Sequence, residues 1–405
     1  MAHGGYARHR VDRLKTAGDL SRWTAAEVEA GGWIRRMFAE GQRLRALHGD
    51  DAVIDLSLGQ PLDAPVEVRD ALARAASEWF PGRNAYMPNL GYPALRERAA
   101  EDVAFAGVGA ESIAMTGGAA GAMCLALRAF VNAGDEVVGV APYFPEFRPY
   151  CETAGLRFRV ARTDPATQRV DIDSLVSALS ASTAALILNT PCNPSGHVIE
   201  PDEMREVVDV LEHHNRRTGR RVLLVVDEAY RNLVYAPARR VEPFEYYERC
   251  VLARSFSKDM GLAGERIGYL ALHPAMAGDD TSRGLESCLR ALGMVSAPAT
   301  AQRALLQLDS WSVDSGRYRS LRDHAVSASR DAGLDAVTPQ GGIFLWFRSP
   351  WDDTLEYVTA LARERVLVTP GVAFDVPEFV RLCFTSTPER LSRALRVGGE
   401  VASQR

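Results

Sequence analysis

Of the 47 basic residues in this 405-residue chain, only Lys15 and Lys258 are lysines. A reaction that needs a primary amine therefore has two candidates, and Lys15 lies in a polar amino-terminal tail. Lys258 closes the run Ser255-Phe256-Ser257-Lys258, and Arg266 follows in the same segment. A lysine amine forms a Schiff base with an aldehyde. Hydroxyls and a guanidinium suit a phosphate dianion, because the guanidinium donates two parallel charge-assisted hydrogen bonds. Upstream, Thr116-Gly117-Gly118-Ala119-Ala120-Gly121 opens a helical stretch. Its small residues would let an anion approach the backbone N–H groups at a helix N-terminus, where the dipole favours negative charge.

Two more polar sets end apolar runs: Asp227-Glu228-Ala229-Tyr230 after VLLVV, and Asn189-Thr190-Pro191-Cys192-Asn193-Pro194 after ALIL. A carboxylate can hold a ring nitrogen protonated, and an amide or phenol can bond a ring oxygen. An amine, a carboxylate, ring-oxygen donors and a phosphate cradle are the provisions that pyridoxal 5'-phosphate needs from a protein. Each residue also has a plainer use. A strand-end lysine is commonly solvated, Asp227 could cap a helix, Asn193-Pro194 could form a turn, and an aromatic residue that could stack on a ring, such as Phe144 beyond EVVGVA, could be core. Their joint occurrence favours the cofactor reading.

The elements that must position these groups follow from the apolar runs. EVVGVA (136–141), ALILNT (185–190), VLLVVDE (222–228) and CVLARSF (250–256) bracket amphipathic stretches at 93–103, 118–130 and 201–216. Apolar runs without alternation predict strands buried on both faces, as in sheets covered by helices. Strand–helix alternation predicts a doubly wound α/β fold. Ligands of such sheets bind beyond the carboxyl ends of the strands, which is where the polar sets fall. Residues 20–48 read as helical with a break at Gly31-Gly32, and 280–310 as one long helix. GIFLWF (342–347) and FVRLCF (379–384) among helices predict a smaller α+β unit. The expected division is an amino-terminal arm over 1–50 packing on the small domain, a large α/β domain over 51–290 and the small domain over 291–405.

A net charge of -5 without a basic block argues against a nucleic-acid partner. The amino terminus lacks the apolar core of a signal peptide, and no apolar run is long enough to span a bilayer. Six cysteines scattered without C-x-x-C spacing predict reduced thiols in the cytoplasm. Eight histidines without ligand spacing predict no metal.

Over roughly residues 50–390 the chain resembles the class I/II aminotransferases, fold type I pyridoxal-phosphate enzymes of the aspartate aminotransferase superfamily. The motifs that carry the resemblance occur in order. Tyr86-Met-Pro-Asn-Leu-Gly91-Tyr-Pro-Ala-Leu-Arg96 is similar to Y-x(4)-G-x(3)-LR, and Pro142-Tyr143-Phe144-Pro145 to the aromatic segment. Asn189 to Gly196 resembles N-x-P-x-N-P-[ST]-G, and Asp227 to Tyr230 resembles D-x-x-Y. Ser255 to Lys258 is similar to the Schiff-base motif, and Arg381-Leu382-Cys383-Phe384 to the carboxyl-terminal arginine motif.

The resemblance implies a large mixed sheet and a role for each matching residue. Lys258 would bind pyridoxal 5'-phosphate as a Schiff base and later shuttle a proton. Asp227 would pair with the pyridinium nitrogen, Asn193 and Tyr230 would bond the phenolate oxygen, and Phe144 would stack on the ring. Ala119 and Ala120, through backbone N–H groups, would hold the phosphate with Ser255, Ser257 and Arg266. Tyr86 would reach the phosphate of the neighbouring subunit in a homodimer. Arg381 would clamp the substrate α-carboxylate, with Gly59 and Asn193 lining that end. Two departures stand out: Ala120 where many relatives carry a hydroxyl or larger side chain, and Asp375 where the family often has glycine.

The reaction implied is amino-group exchange between an amino acid and a 2-oxo acid. The run Ser257-Lys258-Asp259-Met260-Gly261-Leu262 also resembles aminocyclopropane-carboxylate synthases. That gives a second reading: α,γ-elimination, γ-replacement or carbon–carbon bond formation, using S-adenosylmethionine, in a biosynthetic pathway. A third is a pyridoxal-phosphate-binding regulator, but the first 50 residues are too short for a DNA-binding module and linker and show no basic recognition helix.

Overall fold

The computed structural model describes residues 20–30, 32–311 and 314–404. Lys15 and the start of the expected arm lie outside them. The strands are β1 (Ile54–Asp55), β2 (Ile113–Thr116), β3 (Glu136–Ala141), β4 (Arg157–Arg162), β5 (Thr183–Asn189), β6 (Leu223–Asp227), β7 (Cys250–Ser255), β8 (Gly268–Leu272), β9 (Ala336–Val337), β10 (Phe344–Arg348), β11 (Val366–Leu367), β12 (Thr369–Pro370) and β13 (Phe379–Cys383).

Seven of them form one sheet in the order β2-β8-β7-β6-β5-β3-β4. Strands β3 to β7 run parallel, whereas β8 is antiparallel to both β7 and β2, so the sheet is mixed. Successive side chains on a strand point to opposite faces, and here both faces are covered. Leu224, Val226 and Leu252 enter one core, while Leu223, Val225 and Val251 enter the other. This is why the strands read as unbroken apolar runs. Each such side chain contributes about 1.5–3 kcal/mol by leaving water.

The helix Gly118–Phe130 packs against β7 and β8 and starts at the carboxyl end of β2. Gly118 has φ +75°, and a Cβ there would lie 2.9 Å from the Arg266 guanidinium. Glycine at that turn is therefore required twice, by conformation and by space.

The long helix expected over 280–310 is two helices, Asp279–Ala291 and Ala299–Leu306. Gly293 and Val295 take positive φ (71° and 56°) between them, and Pro298 precedes the second helix. A left-handed residue ends the first helix and proline restarts the second. Ala301, Ala304, Leu305 and Trp311 join the core of the large sheet.

Beyond Trp311 a second core begins. Its four-stranded antiparallel sheet has the order β12-β13-β10-β9 and is packed by the helices Gly316–Asp331, Thr354–Arg363 and Pro388–Ala402. At the amino-terminal end, helices Arg22–Ala30 and Trp33–His48 flank Gly32. Leu44 and Val53 pack on Ala362 and Leu367, and β1 pairs in parallel with β11. Residues 44–55 are thus tied to the carboxyl-terminal unit. Asp375 has φ 64°, so it adopts the left-handed turn that glycine would fill, a conformation Asp tolerates. Among the described residues no helix is long and apolar enough to cross a membrane.

Candidate active site

The parallel strands β5, β6 and β7 all point the same edge at one region. Asn193 follows β5, Asp227 ends β6, and Ser255 ends β7 just before Ser257 and Lys258. Phe144 follows β3, half-buried and edge-on to Phe147 with ring centroids 5.7 Å apart. Phe256, between the two serines, turns into the large core and meets the Trp311 ring edge-on at 4.8 Å. That anchor leaves the alternate residues free for the site.

The Lys258 amine donates to the Gly59 carbonyl at 2.5 Å. A Cβ on Gly59 would lie 2.6 Å from the Phe344 ring and 3.7 Å from Lys258 Nζ, so the close approach needs glycine. Burial pulls the Lys258 amine below its ordinary value, and the charges of Arg381 and Arg266 add to this while Asp227 opposes it. Burial also pushes the Asp227 carboxyl up to about 7. The Ala229 N–H, donating to Asp227 Oδ1 at 3.1 Å, opposes that shift, Glu228 adds to it and Lys258 opposes it.

Arg381 comes from the middle of β13, not from a strand end. Its guanidinium lies between two rings, 4.2 Å from the centroid of Phe344 and 4.7 Å from that of Phe374. It donates to Asn193 Oδ1 at 2.9 Å, to Thr369 Oγ1 at 3.4 Å and to the Ser57 carbonyl. Those acceptors are neutral, and Arg381 Nε is buried without a partner. Among the described residues no carboxylate pairs with it. Burial accordingly brings its pKa down to about 10. Tyr230, buried, stands edge-on to Phe344 at 5.9 Å.

The phosphate candidates form a second cluster. Ser255 Oγ bonds Ser257 Oγ at 2.7 Å and accepts from the Ser257 N–H at 3.0 Å. Arg266 donates to the carbonyls of Ala263 and Gly117, both at 3.0 Å, which holds its guanidinium at the N-terminus of the helix bearing Ala119 and Ala120. Ala119 is buried there and Ala120 half-buried. Tyr86 is 96 % exposed and lines a surface depression with Phe80.

Two sets of residues escaped the sequence reading. Behind Asp227, on the opposite face of the sheet, Arg254 Nε meets Glu228 Oε2 at 2.5 Å. Its other nitrogens reach the Tyr269 hydroxyl at 3.2 Å, Glu242 at 3.5 Å and Asp102 at 3.8 Å. Asp102 also binds Arg231 and the Tyr269 hydroxyl. The available signal was an arginine inside the apolar run CVLARSF, since a charge on a buried strand needs a partner. The other set is Tyr318, whose hydroxyl donates to the Lys258 carbonyl at 2.7 Å; no local pattern marks it.

Comparison with known proteins bears on the same residues. The model of the family described as aminotransferase class I and II matches residues 51–397. A probable aspartate aminotransferase of Methanocaldococcus jannaschii is 26% identical, with 86% of this chain and 93% of the relative covered. The valine–pyruvate aminotransferase of Mycobacterium tuberculosis is 27% identical, with 90% and 94% covered. Among solved structures, an aminotransferase from Eubacterium rectale superposes with a TM-score of 0.88 at 26% identity, covering 95% of this chain and 99% of that one. The Thermus thermophilus aspartate aminotransferase solved with maleate gives 0.81 at 25% identity, covering 94% and 99%. The fold is that of these enzymes, and the protein is an aminotransferase-like enzyme: the chain belongs to the class I and II aminotransferase family.

Proposed function

We propose that the protein moves an amino group between a free amino acid and a 2-oxo acid, using pyridoxal 5'-phosphate held by Lys258. The observation that carries this reading is the meeting of a half-buried amine, a buried carboxylate and a buried arginine without a countercharge at one edge of the sheet. The residues fit the cofactor. Lys258 offers a primary amine for its aldehyde, and Asp227 faces inward with nothing stronger than a backbone N–H on Oδ1. The serine pair, Arg266 and the glycine-led helix N-terminus make a cradle for its phosphate.

When bound, the cofactor supplies an aldehyde for amines and a ring that accepts the electron pair left at the substrate α-carbon. The chain's residues do the rest. Burial lowers the pKa of the Lys258 amine, which favours its nucleophilic form, and at Nζ it can take and return the α-proton. Asp227 becomes a stable carboxylate once a cation faces it, which favours a protonated ring nitrogen. Asn193 and Tyr230 would bond the ring oxygen, and Phe144 would cover the ring. Arg381 receives the α-carboxylate, and Phe344, Phe374 and Gly59 shape that end and keep water out.

The relatives' names, aspartate and valine–pyruvate aminotransferases, support a free amino acid and a small 2-oxo acid as partners. They do not favour the S-adenosylmethionine reading. We further propose a homodimer in which exposed Tyr86 reaches the partner's phosphate, an arrangement that the exposure of the large apolar side chains of Trp79 and Phe80 supports. Six unpaired cysteines support a reducing compartment, the cytoplasm. The chain is read as an arm over 1–50, a large cofactor-binding unit and a small carboxyl-terminal unit. Packing of residues up to Trp311 into the large core supports placing the last boundary after that residue.

The test is spectroscopic. Protein loaded with pyridoxal 5'-phosphate should lose its long-wavelength band in one stoichiometric step when an amino donor is added alone. A 2-oxo acid should restore it. Continuing turnover of S-adenosylmethionine without any 2-oxo acid would overturn the proposal.

A further inference from the structure

We infer that Tyr318 is a positioning residue for Lys258, fixing the lysine's backbone and the 59–62 segment against one another from the carboxyl-terminal unit. This rests on the role proposed above for Lys258. Tyr318 lies on the helix Gly316–Asp331 with its ring in the second core. Its hydroxyl uses both of its capacities at the site, donating to the Lys258 carbonyl at 2.7 Å and accepting from the Leu62 N–H at 3.0 Å. Lys258 Nζ in turn donates to Gly59, three residues before Leu62. The lysine is therefore tied to one short segment twice, directly at its tip and through the Tyr318 hydroxyl at its backbone.

The surroundings make this clamp stiff. A Cβ on Gly261 would lie 2.6 Å from the Ala64 backbone nitrogen, so the segments 258–261 and 59–64 run backbone against backbone. On the other side Asn232 donates to the Asp259 carboxylate at 2.7 Å, tying the lysine segment to the turn after Asp227. Between its ends the lysine side chain has four rotatable bonds. A group that must reach one carbon of the cofactor and then carry a proton loses rate steeply when its origin shifts.

The experiment compares Tyr318→Phe with wild type and with Tyr357→Phe. Tyr357 is a buried phenol of the same core that donates to the Gly398 carbonyl at 3.0 Å, away from the lysine. Two rates are read. One is capture of pyridoxal 5'-phosphate by protein stripped of cofactor, trapped with borohydride and located on the Lys258 peptide. The other is kcat, with KM for the amino donor measured alongside. Tyr318→Phe should slow both rates by roughly 10-fold or more with KM within about twofold, since Arg381 is untouched. Tyr357→Phe should lower Tm by a similar amount and leave both rates near wild type. If either rate of Tyr318→Phe stays within about twofold of wild type, the inference is wrong. If Tyr318→Phe does not fold, Tyr318→Met, whose flexible side chain can fill the space, is read in the same way. Failure of both to fold would make Tyr318 a core residue and end the proposal. Absence of label on Lys258 in the wild type would instead end the reading of Lys258 itself.

Discussion

Arg254 and Arg381 are equally buried, each only 2 % exposed, yet their surroundings are opposite. Arg254 has Glu228, Glu242 and Asp102 within salt-bridge distance and the Tyr269 hydroxyl beside it. Burial would pull its pKa down, but Glu228, Tyr269, Asp102 and Glu242 outweigh burial and hold it well above the ordinary value. Arg381 has two aromatic faces, neutral oxygens and an unpartnered Nε, and its pKa falls to about 10. A buried cation with its anions in place is part of the scaffold. One left without an anion suits the role proposed for Arg381, receiving a ligand that brings a carboxylate. The two lie on different sheets.

The comparison can be broken most directly at Arg254. Arg254→Met would take the arginine from Glu228 and Glu242, leaving Asp102 to Arg231 and Tyr269, and should lower unfolding free energy by about 3–5 kcal/mol, measured by urea denaturation. Arg381→Met should cost clearly less stability. Its main effect should be on KM for the amino donor, raised on the order of 100-fold, about the worth of a charge-assisted pair of hydrogen bonds. Equal stability losses in the two variants would erase the distinction drawn here.

Asp227 sharpens the same contrast on the anionic side. Its carboxyl is raised to about 7 by burial from an ordinary 3.8, so the folded protein without cofactor holds this proton more tightly than the unfolded chain does. The stability it contributes is complete below its unfolded value and is lost as pH rises through about 7. Asp227→Asn in cofactor-free protein should therefore flatten the decline between those values, and at pH above 7 should stabilise by at least ~1 kcal/mol. The same variant should bind pyridoxal 5'-phosphate in a form with a poorly protonated ring nitrogen. A cofactor-free Asp227→Asn protein less stable than wild type above pH 7 would mean that the carboxylate is already compensated.

The smallest effect is expected at the Arg381 end. Gly59→Ala places a methyl 2.6 Å from the tip of Phe344, the ring that covers Arg381. The ring can give way, so stability should fall by only about 1 kcal/mol. KM for the amino donor should rise while affinity for the cofactor holds, checked by steady-state kinetics and cofactor titration. A changed cofactor affinity with unchanged KM would show that Gly59 serves the lysine more than the arginine.

Legibility in the sequence followed chain distance. Lys258 with Ser255, Ser257 and Arg266, and Asp227 with Tyr230, are each confined to a few consecutive residues at a strand end, so their spacing could be read directly. The strands too were readable, because a sheet buried on both faces leaves unbroken apolar runs. The 280–310 segment was misread as one helix because its apolar pattern continues across Gly293 and Pro298, and the turn there depends on left-handed residues that periodicity does not register. Glu228 and Arg254 were hidden differently. Each is a charged residue in an apolar neighbourhood whose partners stand on other strands and loops.

By itself the sequence determined the sheet's strands and the family, and it placed Lys258, for which the cofactor role is proposed, just beyond a strand end, because local periodicity and short motifs encode local geometry. Only the tertiary structure decided that Arg381 lacks a countercharge, that Gly59 receives the lysine's amine and that Tyr318 grips the lysine's carbonyl. Those facts join residues tens to hundreds of positions apart: Tyr318 and Leu62 are 256 apart, Arg381 and Asn193 are 188. Burial and pairing arise from what the folded chain brings together, and no window along the sequence contains both partners.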